Sequence, residues 1–163
     1  GNDYGAQNAE LISPELFEEL CIPFFRAQND WVHRTTGWKT WYHCCGSITR
    51  ILPMLIEAGV DVIIAHVGCT VGGSIGVTNA AMSLEDAAVA TQAIIDAGKS
   101  ARDDVIYLSH GGPIATPADA AFINERTDAV GFVGASSLER MAVEDSLTRL
   151  TREFKAIPLH RTK

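Results

Sequence analysis

Basic residues are scarce in this chain: 13 Lys and Arg stand against 20 Asp and Glu, leaving a formal net charge of -7 over 163 residues. Phosphate backbones are held by cationic faces that displace counterions, so this deficit excludes nucleic acid as an expected partner. Long apolar runs are missing too. A bilayer span needs about 20 consecutive apolar residues, and Glu57, Asp61 and other polar residues break every candidate, so no membrane partner is expected. Cysteine is sparse: Cys21, Cys44, Cys45 and Cys69 do not make the dense framework of a small secreted domain, and adjacent Cys44 and Cys45 form a poor structural pair. With no leader-like stretch visible, the expected compartment is a reducing cytoplasm. What is abundant is apolar side chain, at 47% of residues, enough for one domain over residues 1–163 with a real core.

The apolar residues gather in short runs that end in glycine. Val105, Ile106, Tyr107 and Leu108 follow one another without a charge. A strand covered on both faces reads this way, whereas a half-exposed strand alternates, so a parallel sheet beneath helices is expected. His110 stands where this strand ends, Gly111 and Gly112 permit a tight turn or close approach to a ligand, and Thr116 with Pro117 reads as an N-cap and first helical residue.

Comparable units precede and follow it. Gly1 to Gln7 looks like the tail of a strand. Ser13 caps a helix from Pro14 to about His33, whose positions Leu16, Leu20, Phe24 and Trp31 lie at roughly helical spacing and which Pro23 kinks or divides. Phe17, Phe24, Phe25, Met54 and Met82 are expected in the core. Lys39 to Cys45 is a strand, Ile48 to Ala58 a helix closed by Gly59, and Asp61 to Val67 a further strand. Ser83 and Asp86 open an amphipathic helix to about Arg102. Helices over Pro117 to Arg126 and Ala142 to Ile157 flank a short strand from Ala129 to Val133. This alternation predicts an α/β fold of about five parallel βα units. A closed (β/α) barrel takes eight units in roughly 200–250 residues, so the expectation is a partial TIM-type barrel.

Each expected strand runs into small or reactive residues, which places the chemistry on one rim. His110 is the candidate acid-base group, with Glu139 a second. Gly72, Gly73, Ser74, Gly111, Gly112, Gly134, Ser136, Ser137 and Arg140 are candidates for holding a small anion, through backbone N–H groups, hydroxyls and a guanidinium. If the glycine N–H groups do this work, a side chain at Gly112 harms binding more than folding. The plainer alternatives stand beside these: turn glycines, Ser137 as a helix cap, and Glu139 and Arg140 as solvated first-turn residues.

From Asp61 to Ile157 the chain resembles the phosphoenolpyruvate-hydrolase-like TIM-barrel family. The likeness is carried by HVGCTVGGSIG (His66 to Gly76), LSHGGPIATPADA (Leu108 to Ala120), GFVGASSLER (Gly131 to Arg140) and REFKAI (Arg152 to Ile157), with Cys69 standing where the family more often has an apolar residue. It implies an enzyme-like domain, hydrolase or lyase in type, with a small-molecule site. The first sixty residues resemble a different group, the uroporphyrinogen decarboxylase superfamily with its cobalamin-dependent methyltransferases. Here the segments are NDYGAQ (Asn2 to Gln7), LISPELFEELCIPFF (Leu11 to Phe25), WKTWYHCCGSI (Trp38 to Ile48) and LIEAGVD (Leu55 to Asp61). The methyltransferase branch implies zinc on His43 and Cys45. Those residues lie two apart on one strand face, and Cys69 or His66 on the neighbouring strand completes a set of three.

The two resemblances meet at Gly59-Val60-Asp61, where a junction is expected. The leading expectation is therefore a domain that binds a small phosphorylated or carboxylated metabolite. A decarboxylase or zinc-dependent methyl-transfer site and a non-catalytic half-barrel remain as alternatives. Five parallel strands leave two open edges and an inner face without its opposite wall, so a homo-oligomer is expected.

Overall fold

The computed structural model describes residues 3–6, 8–44, 46–73, 77–79 and 81–158. Among them, helix α1 covers Pro14–Leu20, α2 Ile22–Thr36 and α3 Leu52–Glu57. Strand β1 covers Val62–His66, followed by α4 over Leu84–Lys99 and β2 over Ile106–His110. Then come α5 over Pro117–Arg126, the short α6 over Ser136–Glu139 and α7 over Met141–Lys155.

The helix boundaries follow local chemistry. Ser13 Oγ accepts the Leu16 N–H at 3.3 Å, and the chain breaks at Cys21 so that Pro23 falls in the first turn of α2, where its missing N–H costs nothing. Pro53 sits likewise in the first turn of α3, which starts at Leu52 rather than Ile48. Gly59 adopts φ +99° just past that helix. Thr116 and Asp119 form a complete capping box at the start of α5. In α1 and α2 the helical period is as expected, but the face is inverted. Leu16, Leu20, Phe24 and Trp31 point to solvent, and Phe24 is 76% exposed rather than in the core. The buried side comes instead from Phe17, Ile22 and Asn29, whose Nδ2 donates to Ala58 O at 2.9 Å. That bond satisfies the amide and lets a polar residue face inward.

Strands β1 and β2 pair in parallel, with Val62 opposite Ile106 and His66 opposite His110. The fold is a mixed α/β arrangement around this two-stranded sheet. Two other expected strands make short parallel contacts rather than full strands: Trp41 bridges Val62 on one side, and on the other Phe132 bridges Ser109, with Val130 N–H donating to Tyr107 O, Ser109 N–H to Gly131 O and Val133 N–H to Ser109 O, each at 2.9 Å. Among the described residues of the N-terminal segment, Gly5 bridges Glu10 in antiparallel fashion rather than joining the parallel sheet. Burial is one-sided. Ala65, Tyr107 and Ser109 are buried, whereas Ile64 and Leu108 are half-buried and Ile106 is exposed. Helix α4 lies over the buried face, and Gly98 makes its close approach possible, since a Cβ there would meet the Tyr107 ring Cε1 at 2.8 Å.

Three apolar clusters hold these layers. Phe17, Ile22, Ile51 and Leu55 join the N-terminal helices. Ile56, Ile95, Val105 and Tyr107 sit between α3, α4 and the sheet, and Val67, Ala87, Ile114 and Ile123 lock α4 and α5 beneath the C-terminal strand end. Met54 and Met82 pack at the margins of the first and third clusters. Helix α7 buries no residue. No helix among the described residues is long and apolar enough to cross a membrane.

Candidate functional site

Two histidines end the two strands at the same register position. Adjacent positions on parallel strands project to the same face, so the rings of His66 and His110 lie side by side with centroids 4.9 Å apart and planes at 38°. His110 Nδ1 is 2.6 Å from Val133 O. A carbonyl only accepts, so Nδ1 carries the proton in this bond and Nε2 is left as the basic nitrogen of the neutral ring. His66 stays accessible to solvent. Desolvation of its ring, followed by nearby His110 and His43, lowers its pKa below the ordinary histidine value.

The loops that follow the strands are stitched together by backbone bonds. Val67 N–H donates to His110 O at 3.1 Å, Gly112 N–H to Gly68 O at 2.7 Å, and Val71 N–H to Gly112 O at 3.2 Å. This contact explains the paired glycines. Gly111 and Gly112 have φ of +81° and +57°, and a Cβ on Gly112 would stand 2.7 Å from Val67 O. The N–H of Gly72 likewise donates to Val77 O at 3.1 Å. At Gly72 and Gly112 the N–H groups proposed for an anion therefore serve the loop framework.

Arg140 joins the first and last of these loops. Its Nη2 donates to Gly72 O at 3.1 Å and its Nη1 to Glu144 Oε1 at 3.1 Å. Gly73, at φ +77°, leaves room for the guanidinium. Arg140 is thus neither a solvated first-turn residue nor an open fork: its guanidinium braces two rim segments. Glu139 is exposed at the end of α6. Gly134 accommodates the Leu138 side chain. Ser136 begins α6, whose N-cap is Ala135 without a side-chain cap bond, so Ser137 is not the cap of that helix. Ser137 Oγ is buried without a hydrogen-bond partner among the described residues. Cys45 and Ser74 lie outside the described residues. Cys69 is exposed, and no group of three or more His, Cys, Asp or Glu is placed to hold a metal among the described residues.

The opposite ends of the strands hold a cluster that no sequence motif marks. Asp61 is 3% exposed and accepts from Thr40 N–H at 2.7 Å, Thr40 Oγ1 at 3.1 Å, Lys39 Nζ at 3.3 Å and Arg102 Nη2 at 3.5 Å, with His33 Nε2 at 2.7 Å. Burial alone would raise its pKa. The Thr40 N–H, His33 and Lys39 outweigh that and hold it at about 2. The cleft here measures 450 Å³. Its one sequence signal was an aspartate set directly before an apolar strand.

Parallel strands that carry histidines and glycine turns at their C-terminal ends, packed under helices, define an α/β protein. The chain belongs to the phosphoenolpyruvate hydrolase-like family, whose signature matches residues 52–157. That match begins at α3, ahead of the junction expected at residues 59–61. Two tomato (Solanum lycopersicum) proteins are similar to it, ToMV susceptible protein tm-1(GCR26) and ToMV resistance protein Tm-1(GCR237). Each is 46% identical over 106 residues, which is 64% of this chain and 14% of the relative. The chain thus corresponds to a small part of these longer proteins.

Proposed function

We propose that the domain binds a small phosphorylated or carboxylated metabolite at the C-terminal strand ends, with His66 and His110 as the groups that meet it. The observation that carries this reading is the pairing of the two imidazoles in register. His110 has its tautomer fixed by Val133 O, and His66 faces solvent. An anion placed against the rings would be met by Nε2 of His110 once protonated and by His66, whose proton uptake the anion itself promotes. The family's description makes phosphoenolpyruvate, which is both phosphate ester and carboxylate, the first ligand to test. In this reading the strands form an arc of a (β/α) barrel, and Arg140 and the glycine turns set the shape of its rim.

Calorimetric titration tests it. Phosphoenolpyruvate should bind with an affinity that falls at least about tenfold, a loss of about 1.4 kcal/mol, in both His66→Ala and His110→Ala. Equal affinity in all three proteins, or none in any, would remove the histidine pair from the site.

A further inference from the structure

Helix α7 carries an apolar seam that stays exposed among the described residues. Val143, Leu147, Leu150 and Phe154 recur at steps of four, three and four, and Ile157 follows three residues later. They are 51%, 60%, 42%, 71% and 60% exposed in that order. A helix resting on a globular core shows a broader stripe, whereas steps alternating between three and four keep one narrow seam turned toward a single partner helix.

Charge sets the direction of that partner. Glu144, which pairs with Arg140, and Asp145 occupy the first turns of α7, and Arg149, Arg152 and Lys155 outnumber Glu153, the partner of Arg149, toward its end. Two copies running parallel would place anion beside anion at the first turns and cation beside cation toward the end. Running antiparallel, the acidic end of each lies beside the basic end of the other, and the helix dipoles are opposed. The seam is also self-complementary in this direction. Leu147 meets Leu150 of the second copy, and Val143, the smallest seam residue, meets Phe154, the largest, so each layer combines suitable volumes under one two-fold axis.

We propose that α7 is a dimerisation helix that pairs antiparallel with α7 of a second copy of this chain. Four layers are short beside a standard interface of about 800 Å² per partner, so the dimer dissociates on dilution. Sedimentation of the chain across low to high micromolar concentration should show a reversible monomer–dimer equilibrium. Leu147→Glu and Leu150→Glu should each shift it to monomer, with the melting transition of the dilute, monomeric protein unchanged, because both positions are exposed. Oxidative cross-linking supplies the second arm. A mixture of Val143→Cys and Phe154→Cys chains should form a mixed disulfide well above the unsubstituted background, whereas Val143→Cys alone should not. A monomer at every concentration, a dimer indifferent to both glutamates, or self-linking of Val143→Cys would each overturn the proposal.

Discussion

His66 and His110 face each other across adjacent parallel strands with ring centroids 4.9 Å apart, and after desolvation it is His110 that lowers the His66 pKa most. A positive charge on His110 opposes one on His66 at this separation, and a bound anion offsets that repulsion. In His110→Ala, the His66 pKa should therefore rise toward the ordinary histidine value. Imidazole resonances followed through a pH titration measure this directly, and an unchanged His66 midpoint would uncouple the two rings.

Asp61 predicts an acid-sensitive fold. Its pKa is held at about 2 against an ordinary 3.8. The folded state thus binds this proton less readily than the unfolded state, and the stabilisation is fully present above the ordinary value. It is lost as pH falls through that value toward 2, and amounts to about 2 kcal/mol at neutral pH. Asp61→Asn should accordingly lower the urea midpoint at pH 7 and flatten the dependence of stability on pH between about 4 and 2. An unaltered acid limb would assign the acid sensitivity to other carboxylates.

Gly112 reverses an expectation. A side chain there was expected to harm binding more than folding, but a Cβ would press on Val67 O in a left-handed backbone region. Gly112→Ala should destabilise the fold by about 1–3 kcal/mol whether or not ligand is present. Denaturant unfolding with wild-type stability would show that the loop contact gives way without cost.

Arg140 makes a prediction about order. Its bond to Gly72 O ties the loop after β1 to the segment that opens α7. Arg140→Ala should increase amide exchange around Val71 to Gly73 several-fold and leave α4 unchanged. Arg140→Lys should restore little of it, because a single ammonium cannot hold Gly72 and Glu144 with the same fork. Unchanged exchange at Gly72 would mean that the backbone bond to Val77 alone orders the loop.

The parts of this molecule legible in the sequence are those governed by neighbours in the chain. Ser13, Ser83 and Thr116 announced their helices because a cap acts within three residues, and the glycines after His110 announced a turn. The inverted face of α1 and α2 was not legible. The residues of that segment include two apolar sets at helical spacing, and the choice between them was made by distant partners such as Ala58 O for Asn29. Lys39 to Cys45 and Ala129 to Val133 had strand composition, but a ladder needs a neighbour along its length: among the described residues the first meets β1 around Thr40 and Trp41, and the second meets β2 through backbone bonds to Tyr107 and Ser109 alone. His66 was visible as a strand-end residue, yet its partnership with His110 depended on register, which no local pattern specifies. Asp61 looked like a polar interruption because its five contacts come from α2, the segment around Lys39 and Thr40, and Arg102.

The most direct measurement of the central claim is a phosphoenolpyruvate titration followed through the imidazole resonances of His66, His110 and His33. The strand-end site predicts saturable shifts at His66 and His110, a rise in the His66 pKa on binding, and no response at His33 on the opposite end of the strands. Shifts confined to His33, or none at any histidine, would contradict it.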